Sequence, residues 1–260
     1  MGNFVVITDS SSDLTKEIRE RFDIEYVPGH ITLPDGKVVP QLLEWTDDYP
    51  RKDFYARIRK GEVYSTSPAS PAEYAEVFKK YVKEGRFEPV GGQWVESDQM
   101  MPSGEALARS FLLGQRYFQS RFGRIAHVGW LPDDFGHQSQ LPQILRQSGM
   151  KYFGFMRTSP YPGAFWWQGA DGSRVLAFST GGYNGDINEY LLDRLKTHPV
   201  DGHRSFCPTG EGDHGGGPYR FNIHDVHELD ARKDYPSVRF TTAEDFFTKA
   251  EKEAGKCPVH

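Results

Sequence analysis

The chain has 260 residues, enough for one large α/β domain or two smaller ones. Its 31 basic and 36 acidic residues leave a formal charge of −5, which argues against a polyanion-binding surface, so no nucleic-acid partner is expected. Cys207 and Cys257 are too few for a disulfide framework, Met1 to Thr8 lacks the basic start and long apolar run of a signal peptide, and no stretch nears the roughly 20 apolar residues of a membrane span. A soluble cytoplasmic protein is the expectation.

In chain order, Phe4 to Thr8 makes a short buried strand that ends at Asp9 and the serines 10–12. Leu14, Ile18 and Phe22 follow at four-residue spacing, one face of an amphipathic helix. Residues 24–33 read as a second extended segment closed by the turn Pro34-Asp35-Gly36, and Phe54, Ile58 and Gly61 as a short helix with a glycine stop. Ser70-Pro71-Ala72-Glu73 is a capping box with proline in the first turn. Behind it Tyr74, Val77, Phe78, Tyr81 and Val82 keep helical spacing up to Gly85.

Beyond Gly85 the texture changes. Phe87 to Asp98, rich in glycine and tryptophan, predicts a strand and its loop, and Ser103 to Phe122 a long helix with Leu107, Phe111, Gly114 and Phe118 on one face. A strand over 125–130, a helix over 139–148 stopped by Gly149, a strand over 152–156 and a hairpin around Gly169-Ala170-Asp171-Gly172 come next. A helix over 187–197 precedes the loop Gly210 to Pro218, and the chain closes with a strand over 237–241 and a helix opened by the capping box Thr241-Thr242-Ala243-Glu244. This alternation of strand and helix predicts an α/β fold with a mainly parallel sheet or an irregular barrel.

Chemistry concentrates at strand ends in such folds. Strand 125–130 runs into Leu131-Pro132-Asp133-Asp134-Phe135-Gly136-His137. One of the two carboxylates suits capping of the following turn, and the other suits a nucleophile or metal ligand projecting from the strand tip into a sugar-sized hollow. A glycosidase needs a second carboxyl group, and Glu96, Asp98, Asp186 and Asp213 are the candidates. Three consecutive glycines after Asp213-His214 suit close backbone approach to a ligand or a flexible turn, and His214 suits metal ligation or solvent. His224 and His227, spaced i, i+3, lack the spacing of zinc helices and read as surface residues. Among Trp94, Trp166 and Trp167 both core packing and a sugar platform are expected.

From Arg86 onward Phe87-Glu88-Pro89-Val90-Gly91-Gly92-Gln93-Trp94-Val95-Glu96-Ser97-Asp98, Trp130-Leu131-Pro132-Asp133, Phe135-Gly136-His137, Leu141-Pro142-Gln143-Ile144-Leu145, Phe165-Trp166-Trp167-Gln168-Gly169 and Gly212-Asp213-His214-Gly215-Gly216-Gly217-Pro218 stand in the order of one family. The segment resembles the catalytic domain of glycoside hydrolase family 38 α-mannosidases. The resemblance implies a seven-stranded parallel β/α barrel and a retaining, zinc-dependent hydrolysis of α-mannosides. It implies Asp133 as nucleophile and zinc ligand, Asp213 as acid/base, and a sugar subsite at Glu96 and Asp98, to which Trp94 and Trp167 are added as sugar platforms. The family opens with a His-x-Asp segment that supplies two zinc ligands. No such segment precedes Arg86, and Asp9 is the carboxylate placed to stand in for it.

Residues 1–85 differ. Ile7-Thr8-Asp9-Ser10-Ser11-Ser12-Asp13-Leu14, Asp35-Gly36, Phe54-Tyr55 and Thr66-Ser67-Pro68-Ala69-Ser70 resemble the first part of the DegV family of fatty-acid-binding proteins. That resemblance implies a lipid carboxylate bound by Ser10, Thr66 and Ser67. The chain thus reads as two α/β pieces, 1–85 and 86–260, joined near Gly85 and able to share one sheet. Three functions follow: a protein that binds or cleaves α-mannosides at Asp133, a fatty-acid-binding module, or a folded hybrid without activity.

Overall fold

The computed structural model describes residues 6–12, 14–41, 51–157, 159, 161–182, 187, 189–209 and 220–260. They fall into two units, Met1–Phe87 and Glu88–His260.

In the first unit, strand β1 (Val6–Asp9) pairs in parallel with β2 (Ile24–Val27), and α1 (Lys16–Arg21) connects them. Thr15 caps α1 through the Ile18 N–H. A second sheet centres on β3 (His30–Thr32), antiparallel to β4 (Val38–Pro40) and to β5 (Ser65–Ser67). The turn expected at Pro34-Asp35-Gly36 joins β3 to β4, with the Gly36 N–H donating to the Leu33 carbonyl. Helices α2 (Arg51–Arg59) and α3 (Pro71–Lys83) complete the unit. Both halves of the predicted capping box form at Ser70 and Glu73.

The second unit is built on four strands in the order β6 (Val128–Leu131), β7 (Tyr152–Phe155), β9 (Arg174–Ser179), β8 (Gly163–Gln168). β6, β7 and β9 are parallel, and β8 is the antiparallel arm of the hairpin expected at Gly169–Gly172. Side chains alternate across this sheet. Val128, Tyr152, Leu176 and Phe178 face one way and pack with Phe246 and Phe247 of helix α8 (Ala243–Glu253). Phe153, Phe155, Val175 and Ala177 face the other way and pack with Phe111 of α4 (Gly104–Phe122) and Leu141 and Leu145 of α5 (Leu141–Gln147). Each fully buried Phe or Leu in these two layers contributes about 1.5–3 kcal/mol over leaving it exposed. Two further helices, α6 (Glu189–Thr197) and α7 (Arg220–Ala231), follow the sheet.

Several expectations need correction. Three of the six strand pairings are parallel and three antiparallel, in sheets of two, three and four strands, so the described sheets are mixed rather than mainly parallel. Among the described residues, each sheet lies within one unit. No strand forms over 87–98. Gly91 and Gly92 sit at φ 90° and 70°, which breaks an extended run, although the Gly91 N–H still donates to the Val128 carbonyl beside β6. Residues 237–241 also form no strand, because the Val238 N–H and the Ser237 hydroxyl donate to the Asp230 carboxylate instead of to a neighbouring strand. Helix α8 is capped by Thr242, one residue later than expected: its hydroxyl accepts from the Asp245 N–H, and Glu244 is drawn away to Arg124 and His127.

Candidate functional site

The parallel strands β6, β7 and β9 set the site, since their C-terminal ends open to one side of the sheet. The register aligns Leu131 with Phe155, so the residues two beyond each, Asp133 and Arg157, emerge side by side. The Arg157 Nε donates to Asp133 Oδ1, and both side chains remain about half exposed. The same guanidinium lies 4.9 Å from the centre of the Phe135 ring.

The two adjacent aspartates do different work. Asp134 is buried, and its Oδ1 accepts from the Phe135 N–H at 3.0 Å and the Gln99 N–H at 3.4 Å. It therefore caps its own turn and ties segment 93–102 to the strand tip. Asp133 is the free-standing member of the pair, open to solvent at its strand end. Burial raises the Asp134 carboxyl above the ordinary range, and the charge of Asp98 adds to that. Glu96 is raised as well, by partial desolvation and then by the charges of Asp134 and Asp133. Glu96, Asp98, Asp133 and Asp134 thus form one carboxylate group around a single strand tip. Segment 93–102 is held there by Gln99, which donates to Ser97, and by Gln138, which donates to the Pro102 carbonyl at 2.8 Å.

Beneath the carboxylates lies His137, its side chain 6% exposed and edge-on to Phe153, Phe155 and Trp167. Burial pushes its pKa down to about 4. Both ring nitrogens lack a hydrogen-bond partner, as does Asp134 Oδ2, 4.0 Å from His137 Nδ1. Trp167 belongs to this buried layer, and Trp166 donates its indole N–H to the Ala254 carbonyl on the opposite face. Trp94, within segment 93–102, is exposed and edge-on to Tyr117.

Asp213, His214 and Asp186 lie outside the described residues. Asp9, the stand-in zinc ligand, is in the first unit, where its Oδ2 accepts from the Tyr74 hydroxyl at 2.6 Å. In that unit Ser10 is buried and its hydroxyl accepts from the Gly29 N–H. Thr66 and Ser67 are exposed on β5. A Cβ at Gly29 would stand 2.8 Å from both the Ser10 hydroxyl and the Ser67 carbonyl, so glycine is what lets these three residues converge.

Zinc in a catalytic site takes about three protein ligands at roughly 2.0–2.3 Å. Among the described residues, the group of three His, Cys, Asp or Glu side chains with donor atoms within 4.8 Å of one another is His224, Asp225 and Glu228, on the surface of α7. Asp133 belongs to no such group, and its carboxylate is engaged by a guanidinium. The described donors around Asp133 do not fit zinc. A cavity of about 610 Å³ lies elsewhere in the second unit, among Leu191, Phe206, Val226, Phe240 and Phe246, and Asp133 does not line it. No helix among the described residues is long and apolar enough to cross a membrane.

Reading of the sequence missed Arg157 and the burial of His137. Arg157 follows the end of β7 by two residues, as Asp133 follows the end of β6, an interval that the expected strand ends at 156 and 130 do not show.

Comparison with known proteins places these features. Residues 37–260 match the N-terminal domain of glycosyl hydrolases family 38. Alpha-mannosidase 2C1 of Mus musculus is 37% identical over 195 residues, which are 68% of this chain and 18% of that relative. An alpha-mannosidase from Enterococcus faecalis V583 superposes with a TM-score of 0.59 at 18% identity, covering 80% of this chain and 24% of that one, a likeness of fold. A DegV domain-containing protein of Clostridium perfringens is 31% identical over 85 residues, 33% of this chain and 28% of that relative. The chain spans about a fifth of the length of the alpha-mannosidases it matches.

Proposed function

The chain belongs to glycosyl hydrolase family 38, and from that premise we propose that its second unit binds α-mannosides and cleaves them in the retaining manner, with Asp133 as nucleophile. The observation that carries this reading is the exposed Asp133 carboxylate at the tip of β6, paired with Arg157 while its neighbour Asp134 is buried as a cap. A nucleophilic carboxylate has to be charged, accessible and fixed in direction, and the paired guanidinium supplies the third condition. The second carboxyl group has to keep its proton until the leaving oxygen takes it. The family resemblance gives that part to Asp213. Among the described residues Glu96 has the matching electrostatics, since desolvation and two neighbouring carboxylates favour its protonated form.

Trp94 is the sugar platform in this reading, with Glu96 and Asp98 hydrogen-bonding sugar hydroxyls. The complete β/α barrel needs strands beyond the four of the described sheet. Zinc enters only with ligands from beyond the described residues, and no step here runs through it. Hydrolysis of an aryl α-mannoside by the wild type and by Asp133→Asn tests the reading. Removing a nucleophile is expected to lower kcat by roughly 10⁴-fold; equal rates would sink the assignment.

A second reading attaches to the first unit. The convergence of Ser10, Gly29 and Ser67, with Thr66 beside them, supports a carboxylate-binding corner for a fatty acid. Native mass spectrometry of the purified chain is expected to show a co-purified fatty acid that Ser10→Ala loses. A clean apo mass for the wild type rejects it.

A further inference from the structure

The family to which the chain belongs implies zinc at Asp133, and the donors found there disagree with it. We infer that in this chain Arg157 is the resident counter-charge of Asp133, standing where a metal ion would stand, and that no zinc is retained at this carboxylate.

Three observations carry the inference. The first is register: β6 and β7 are parallel neighbours with Leu131 beside Phe155, so the meeting of Asp133 and Arg157 is fixed by the sheet rather than by a flexible loop. Packing of the guanidinium against the Phe135 ring adds a second anchor. The second is that the neighbouring donors are committed elsewhere. Asp134 Oδ1 serves the Gln99 and Phe135 N–H groups, Asp98 Oδ1 accepts from the Met100 N–H at 2.7 Å, and His137 is buried against Phe153, Phe155 and Trp167. None of them joins Asp133 in a group of three donors within 4.8 Å of one another.

The third is charge balance. Glu96, Asp98, Asp133 and Asp134 share the strand tip. Arg157 is the cation set directly on the pair that faces solvent. A guanidinium cannot be deprotonated in a protein, so its compensation holds at every pH where the fold does. Removing it leaves Asp133 with no cation against it among the described residues, so a divalent ion from solution is drawn there only weakly, there being no set of three donors to hold it. The inference stands whether or not the chain turns over mannosides.

The test is zinc uptake of the full chain, measured by elemental analysis and by calorimetric titration with zinc chloride, and read as the uptake lost when Asp133→Asn is introduced. Reading the difference removes any zinc held by the surface group His224, Asp225 and Glu228. In the wild type the expected difference is zero. In Arg157→Gln it is expected to rise above the wild type's without reaching one equivalent per chain, since the described donors around Asp133 form no set of three. Arg157→Lys retains a cation at the same place and is expected to match the wild type, with circular dichroism and thermal unfolding showing all variants folded. A wild-type chain that loses an equivalent of zinc with Asp133→Asn overturns the inference. So does uptake at Asp133 by Arg157→Lys, or none by Arg157→Gln.

Discussion

In the second unit, Phe111, Leu141, Leu145, Phe153, Leu176, Phe178 and Phe247 are fully or almost fully buried, in two layers on opposite faces of one sheet. The first unit encloses Val27, Ala69, Tyr81 and Val82, while Ile18, Phe22, Val38, Ile58 and Val63 stand exposed. Both units have amphipathic helices with good caps, so the contrast does not come from local helix chemistry. It comes from what the helices meet. A four-stranded sheet offers two broad faces, and α4, α5 and α8 cover them. Sheets of two and three short strands offer little area to cover, and α1 keeps Ile18 and Phe22 in solvent. Stability in this chain therefore resides mainly in residues 88–260, the part that also carries Asp133.

The strongest way to break that comparison is to cut one aromatic from each unit. Phe153→Ala empties a site in the middle of the second core and is expected to cost about 3–5 kcal/mol. Phe22→Ala removes a ring that is 60% exposed and is expected to cost no more than about 0.5 kcal/mol. Urea unfolding of both variants, followed by circular dichroism, measures the gap. Equal losses would mean that the first unit is packed as tightly as the second.

The same contrast explains how much was legible in the sequence. Helix starts at Ser70 and Ser103 were readable because a cap is a local event, one side chain reaching the N–H three residues on. The hairpin at Gly169–Gly172 and the helix-ending glycines were readable for the same reason. Strands predicted over 87–98 and 237–241 failed because a strand exists only where a partner takes its hydrogen bonds. In one segment a pair of glycines turns the chain, and in the other Asp230 takes the donors. At the site, Asp133 was legible from its place after an apolar strand. Its partner Arg157 was not, because their separation of 24 positions closes only through the β6–β7 register. That one of Asp133 and Asp134 caps the turn was legible, yet that it is Asp134 needed the fold.

A finer test asks whether the well-packed unit is uniformly well packed, and His137 says that it is not. Its imidazole is enclosed by Phe153, Phe155 and Trp167 with both nitrogens unpaired, an arrangement that destabilises the fold relative to an apolar ring of similar size. Burial pushes its pKa down to about 4 from an ordinary value near 6.5. The unfolded chain therefore binds a proton below about pH 6.5 that the folded chain refuses until about pH 4, and stability falls as the pH falls across that window. The loss is at most about 3 kcal/mol. Asp134, raised by the same burial, favours the folded state in acid and so opposes the loss. Since Asp134 is present in both chains, the comparison of wild type with His137→Phe isolates the imidazole. The variant is expected to be about 1 kcal/mol more stable at pH 7. Its stability between pH 6.5 and 4 is expected to fall less steeply than the wild type's. Unfolding midpoints measured at half-unit pH steps decide it: parallel curves for the two chains would show that the ring finds a partner in solution and that this core has no polar fault.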